Sequence, residues 1–240
     1  MLNKQPIEAR VKGADRLSLH SMFYTIQGEG PFSGRPAMFI RLAGCNLQCP
    51  ACDTDYTKRR VDVTPDYIST IAMNRDNNPD LFVITGGEPF RQDITQLVVT
   101  LQEEFPRATV QIETNGALPL PETFVRDVDP DRTVIVVSPK TGHVHKSIHD
   151  HADAWKYVIE TGNVDLDDGL PIQALQNELP AKYPHVARPP ARVAKKDIYV
   201  SPMDAKDDAA NERNMATVAQ IGMFYGYTVG VQLHKILNLE

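Results

Sequence analysis

The chain has 240 residues, of which 42% are hydrophobic and 23% charged, an ordinary water-soluble composition long enough for one large core. A net charge of −6 excludes the basic face that nucleic-acid or membrane-surface binding requires. No apolar run reaches membrane-spanning or signal-peptide length, and the three cysteines stand together, so a single-domain cytoplasmic protein spanning 1–240 is expected, with 1–15 a loose N-terminus.

In chain order, Leu17 to Ile26 alternates as a strand and runs into the Gly-rich loop Gln27-Gly28-Glu29-Gly30-Pro31. Met38 to Ala43 reads as a buried strand leading into Cys45-Asn46-Leu47-Gln48-Cys49-Pro50-Ala51-Cys52. Thr64-Pro65 caps a helix with Ile68, Ile71 and Ala72 on its apolar face. Leu81 to Thr85 is a strand into Gly86-Gly87-Glu88-Pro89, and Ile94, Leu97, Val98, Leu101 and Phe105 mark the next helix. Strands follow at Thr109–Glu113, Thr133–Val137 and Trp155–Ile159, then a weaker helix over Asp165–Leu175 and a Pro-rich loop over 180–190. Asp197 to Val200 is a strand into Ser201-Pro202-Met203-Asp204. A helix carrying Met215, Val218, Ala219 and Gly222 ends near Gly226, and Thr228–Leu233 is the last strand.

Continuous apolar strands alternating with helices predict a parallel sheet covered by helices. The unusual residues recur just after strands, at the rim where α/β barrels build their sites. About six such units are visible, fewer than a closed eight-stranded barrel needs, so the fold class is α/β with a partial, open barrel.

Cys45, Cys49 and Cys52 lie too close in sequence for a disulfide framework and read as soft-metal ligands. The alternatives are an iron–sulfur cluster, a zinc site completed by a histidine or Asp53, and buried unreactive thiols. Three thiolates on a four-iron cubane leave one iron open to a substrate or cofactor. Gly86-Gly87-Glu88-Pro89 reads as a turn, or as a place where backbone approaches a ligand and an acidic side chain accepts from an amine. Thr114-Asn115-Gly116 and Ser138-Pro139-Lys140 follow successive strands and can line one pocket. Arg41, mid-strand among apolar residues, needs a carboxylate from Glu29, another side chain or an anionic substrate. His143, His145, His149 and His151 read as a solvated loop.

The cysteine spacing followed by Gly-Gly-Glu-Pro resembles the radical S-adenosylmethionine (SAM) enzymes. Over nearly the whole chain, seven segments in order are similar to the 7-carboxy-7-deazaguanine synthase family. They are Tyr24–Gly30, Phe39–Leu47, Cys52–Tyr56, Thr85–Pro89, Ile112–Gly116, Ser138–Lys140 and Gln232–Lys235. The resemblance implies a modified, partial (β/α)6 barrel of the radical SAM type, typically a homodimer. It also implies a carbon–nitrogen lyase that contracts 6-carboxy-5,6,7,8-tetrahydropterin to 7-carboxy-7-deazaguanine with loss of ammonia, in queuosine and 7-deazapurine biosynthesis. The implied cofactors are a [4Fe–4S] cluster, SAM and Mg2+. The implied partners are the small pterin substrate and an electron donor such as flavodoxin or ferredoxin, with neither nucleic acid nor membrane bound directly.

Carried over by motif, Cys45, Cys49 and Cys52 hold the cluster and Thr54 binds Mg2+. Ala51, Asp53, Gly87, Glu88, Asn115, Ser138, Lys140, Ser201, Pro202, Met203 and Asp204 bind SAM. Ile26, Gln27, Gly28, Glu29, Arg41, Thr85, His234 and the terminal Glu240 contact the pterin, the C-terminal segment closing the site. Ala51 stands where many relatives have an aromatic residue, and Ser201 where they often have Gln. The rival readings are an activating enzyme for a glycyl-radical protein and a zinc-stabilised binding module.

Overall fold

The computed structural model describes residues 3–11, 13, 15–75 and 78–239. One nine-stranded sheet organises the molecule, in the order β3-β1-β2-β4-β5-β6-β7-β8-β9. Its strands are β1 (Leu17–Ile26), β2 (Pro36–Leu42), β3 (Val61–Val63), β4 (Leu81–Gly86), β5 (Thr109–Thr114), β6 (Thr133–Val137), β7 (Ala154–Ile159), β8 (Ile198–Pro202) and β9 (Thr228–Val229). Strand β1 pairs antiparallel with β2 and β3, and every neighbouring pair from β2 to β9 is parallel. Among the described residues the order begins at β3 and ends at β9 without closing, the partial barrel expected from the count of units.

The parallel strands are apolar on both faces, but the faces have different neighbours. Met38, Ile40, Leu42, Phe82, Ile84, Val110, Ile112, Trp155, Tyr157 and Ile159 enter the main core. They pack there with Leu97, Val98 and Leu101 of α2 (Thr95–Glu104) and Ile68 of α1 (Pro65–Met73). The alternate positions point inward, where Ala37, Leu81 and Val83 form a small plug with Phe32 and Phe39. Beyond that plug the inner face turns polar, with Arg41, Thr85, Glu113 and Lys156 facing one cavity. Because side chains alternate with period two, each polar insertion in an apolar strand marks the cavity side.

Several expectations are corrected. Asp165–Leu175 contains no helix. Asp165 Oδ1 accepts from Asp167 N and Asp168 Oδ1 from Leu170 N, at 2.9 Å each, and Gly169 has a φ of +71°. Those side-chain bonds and the left-handed glycine outcompete a helix. The helix–strand alternation therefore lapses between β7 and β8, where the chain crosses in turns ending in a 3-10 turn at Lys195–Asp197. The stretch expected to be a solvated histidine loop contains α4 (Lys146–His151), capped by His145 Nδ1 accepting from Ser147 N and anchored by the buried Ile148.

The final strand is only the two-residue β9, followed by α6 (Leu233–Ile236). Gln232 takes a left-handed φ of 48° and turns the chain back, so Leu233 N donates to Gly28 O at 3.1 Å. Residues 3–11, expected to be loose, lie along the cysteine loop. Asn3 N donates to Pro50 O at 2.9 Å and Glu8 N to Cys45 O at 2.8 Å. Helix α3 (Glu122–Asp127) packs beside α2 with Phe124 in the main core, and α5 (Asp208–Tyr225) packs on β8 and β9.

Candidate active site

The loops at the C-terminal ends of the parallel strands surround a cavity of about 700 Å³. The cysteine loop after β2 forms one wall, with Cys45 and Cys49 buried and Cys52 half-buried, all three as free thiols. The loop is held from below: Gln5 Nε2 donates to Thr54 O at 2.8 Å, and Tyr56 N donates to Gln5 Oε1 at 2.7 Å. Arg91, itself buried, donates to Ala43 O at 3.1 Å and to Ala9 O at 3.1 Å, fastening the strand end to the N-terminal segment.

Burial pushes the Cys45 thiol up to about 12, with Glu88 and the other two cysteines adding to the rise. Burial likewise raises Cys49, opposed by the charge of Lys140, and Cys52, opposed by a hydrogen bond from Thr54. Thiols held this way stay protonated in water alone and release their protons to solvent when a strongly electrophilic metal takes the sulfur. Among the described residues no three His, Cys, Asp or Glu side chains converge on a single-ion site. A tetrahedral zinc site demands such convergence, whereas the thiolates of a cubane each bind a different iron around a larger volume. The donor set therefore fits an iron–sulfur cluster better than zinc.

The Gly86-Gly87 turn packs directly on this loop. Gly87 N donates to Leu42 O at 3.1 Å and Glu88 N to Gly44 O at 3.0 Å. A Cβ at Gly87 would sit 2.0 Å from Gly44 O, and one at Gly86, whose φ is +132°, 2.0 Å from Leu42 O. The glycines are thus demanded by backbone packing against the cysteine loop. Glu88 does not line the cavity. Its buried carboxylate accepts from Thr114 Oγ1 at 2.6 Å, Asn115 N at 2.8 Å and Phe90 N at 3.1 Å, tying the first glycine turn to the next. Burial raises its pKa against those three bonds.

Asn115, Ser138 and Lys140 all reach the cavity. Lys140 Nζ donates to Ser138 Oγ at 2.6 Å and Ser138 O at 2.8 Å, and burial lowers its pKa against the pull of Cys49. Met203 and Asp204 line the cavity; Ser201 and Pro202 remain in β8 behind them. The buried Asn214 of α5 sets that turn by donating to Met203 O at 2.9 Å. Ala51 and Asp53 border the same space, and Thr54 Oγ1 stands 3.2 Å from Asp53 Oδ1.

Ile26, Gln27, Gly28, Glu29, Arg41, Thr85 and His234 also face the cavity; Glu240 lies outside the described residues. Arg41 stacks over the Phe23 ring at 5.1 Å, and among the described residues no carboxylate lies within salt-bridge distance of it. A half-buried guanidinium without a carboxylate, opening on a cavity, has the chemistry to bind an anion. Its expected partner Glu29 is engaged elsewhere, 2.6 Å from Lys156 Nζ and accepting from Gln232 Nε2 at 2.8 Å.

Sequence reading missed Lys156 and gave no site role to Glu113 or Gln232. The available signal was the one that exposed Arg41, a charge inside an apolar strand, present at Lys156 in Ala154–Ile159.

A family model for the radical SAM superfamily matches residues 39–161, from the inner face of β2 through the loop after β7. A 7-carboxy-7-deazaguanine synthase from Rhodospirillum rubrum is 38% identical over the full length of both chains. The chain belongs to the 7-carboxy-7-deazaguanine synthase family of radical SAM enzymes. A second relative of that name, from Rickettsia prowazekii, is 31% identical over 94% of this chain and 89% of its own. The fold is similar to that in a crystal structure of QueE from Escherichia coli, with a TM-score of 0.62 at 20% identity, covering 90% of this chain and 93% of that one. As a radical SAM enzyme the protein uses a [4Fe–4S] cluster and SAM, and its cysteine wall, free of any competing disulfide, suits that use.

Proposed function

We infer that the protein converts 6-carboxy-5,6,7,8-tetrahydropterin to 7-carboxy-7-deazaguanine and ammonia, in 7-deazapurine and queuosine biosynthesis. The observation that carries this reading is the 38% identity to a 7-carboxy-7-deazaguanine synthase over the full length of both chains, together with the Arg41 guanidinium, which has no carboxylate partner among the described residues and opens on the cavity. The product differs from the substrate by one ammonia, so the conversion is redox-neutral and needs no net consumption of SAM.

Cys45, Cys49 and Cys52 would hold the cluster, and Gly87, Asn115, Ser138, Lys140, Met203 and Asp204, which line the same cavity, would hold SAM. When bound, the two cofactors supply a radical that removes a substrate hydrogen. The protein's share is to bind, orient and seal. Glu88 sets the two glycine turns against each other from beneath. Arg41 binds the substrate carboxylate, its fork matching two oxygens. Gln27, Glu29 and Thr85 face the ring, and His234, whose pKa burial lowers, contributes a neutral imidazole. The oxygens of Thr54 and Asp53 beside the cluster loop suit a hard ion that keeps most of its water, so Thr54 is the protein ligand to Mg2+.

Lys235, 3.1 Å from Asp204 Oδ2, and Gln232, on Glu29, draw the C-terminal segment over the cavity. The chain works as one domain in the cytoplasm, as a homodimer, with reduction by a flavodoxin or ferredoxin. The rival, an activating enzyme for a glycyl-radical protein, would leave Arg41 and the Glu29 network without a role. Anaerobic reconstitution, followed by reaction with the tetrahydropterin, SAM, Mg2+ and a reductant, tests the reading. Formation of 7-carboxy-7-deazaguanine supports it; SAM cleavage without that product overturns it.

A further inference from the structure

Lys156 is the cation around which the polar inner wall is built. It occupies the inward position of β7 between Trp155 and Tyr157, both buried in the opposite, helix-covered core. Its ammonium lies 2.6 Å from Glu29 Oε2 and 3.7 Å from Glu113 Oε1, bridging the loop after β1 to the end of β5. Neither carboxylate is free to swing. Glu29 Oε1 accepts from Gln232 Nε2 at 2.8 Å. Glu113 Oε1 accepts from Gln27 Nε2 at 3.1 Å and Gln111 Nε2 at 3.0 Å, and its Oε2 from Thr85 Oγ1 at 3.2 Å. Glu29, Glu113, Lys156, Gln27 and Thr85 line the same cavity as Arg41.

Two carboxylates against one ammonium leave this wall net negative, while Arg41 supplies an unpaired positive charge to the same space. A 6-carboxytetrahydropterin has matching chemistry, a carboxylate on one ring and adjoining N–H donors on the 2-amino-4-oxopyrimidine ring. We propose that Lys156 is a positioning residue for the substrate: by bridging Glu29 and Glu113 it presents both carboxylates as fixed acceptors to those ring N–H groups. The proposal rests on the pterin reading of the site.

The physical need for Lys156 is clear. A carboxylate pair buried without a cation would take up a proton, and a protonated carboxyl would set its own O–H against the ring's donors. Burial alone would raise Glu29, but the charge and hydrogen bond of Lys156, with Gln232, hold it at about 2. Gln111 and Thr85 add neutral donors that fix the angle of Glu113 without altering the wall's charge. A site built from buried acceptors discriminates sharply against a ligand that lacks the donors, because the acceptors are then left unpaired.

The test compares Lys156→Met with wild type in the reconstituted holoenzyme. The probes are 6-carboxytetrahydropterin and its 2-oxo analogue, a tetrahydrolumazine lacking the amino group. Iron content, SAM affinity, and KM and kcat for each probe are measured. Wild-type formation of the deazaguanine is the control, and its absence refutes the pterin reading itself.

Given that control, Lys156→Met is expected to keep its iron and SAM affinity and raise the pterin KM roughly ten- to hundredfold. Its preference for pterin over the 2-oxo analogue should shrink by a similar factor. Unchanged preference, or parallel loss of iron, SAM and pterin binding in a folded variant, overturns the proposal. Should the variant not fold, Glu113→Gln decides. This substitution keeps shape and the Lys156–Glu29 pair, and is expected to reduce the same preference; wild-type discrimination there overturns the proposal.

Discussion

Gly28→Ala probes whether the C-terminal segment truly forms part of the site. A Cβ at Gly28 would stand 2.1 Å from His234 Nδ1 and 2.9 Å from His234 N. The imidazole can rotate away, but the backbone nitrogen moves only with α6. Restoring an ordinary 3.4 Å contact requires α6 to withdraw by about 0.5 Å. That withdrawal opens the Leu233 N to Gly28 O bond, already 3.1 Å, and pulls Gln232 from Glu29. A neutral bond contributes about 1 kcal/mol and one to a carboxylate about 1.5–3 kcal/mol. Their joint weakening predicts a rise in substrate KM of roughly ten- to hundredfold. Because α6 contributes no residue to the main core, the melting temperature should fall little. The assay is steady-state product formation with anaerobic melting curves on the same preparations. An unchanged KM would refute the closure argument, as would a melting temperature that collapses in step with activity.

Arg41→Met removes the unpaired guanidinium, with its stacking on Phe23, and should raise the substrate KM roughly tenfold or more with SAM affinity unchanged; isothermal titration of each ligand checks this. Thr54→Ala should retain the cluster and lose mainly the response of the rate to added Mg2+, read by a Mg2+ titration at fixed iron content. Acid sensitivity follows from Glu29. Its pKa is depressed in the folded state to about 2 from an ordinary value near 4.5, so it contributes stability above 4.5 that is lost as pH falls toward 2. Glu29→Gln should therefore flatten the unfolding curve over that window, measured by denaturant titration at stepped pH.

The features legible in the sequence were those set by local patterns. Buried parallel strands announced themselves as apolar runs, and β1 occupies Leu17–Ile26 as read. The turns after β2, β4, β5 and β6 were visible as glycine and proline punctuation, which is why most of the cavity rim could be named. What could not be read depends on distant partners. Lys156 looks like one charge in a strand until β5 and the loop after β1 bring Glu113 and Glu29 to it. Glu88 looks like a ligand-binding acid, yet three donors within 3.1 Å turn it inward. Gln232 interrupts an alternating run because its amide is held by Glu29, a tertiary bond that overrides strand propensity. The Asp165–Gly169 turns reflect side chains capping their own backbone, chemistry that an apolar spacing of 3.6 does not register.

The central claim is a redox-neutral ring contraction, and the stoichiometry of SAM tests it most directly. With reconstituted enzyme, reductant and excess tetrahydropterin, limiting SAM should support many turnovers, releasing one ammonia for each 7-carboxy-7-deazaguanine while SAM is largely recovered. Stoichiometric consumption of SAM to methionine and 5′-deoxyadenosine, with no deazaguanine or ammonia formed, would contradict it.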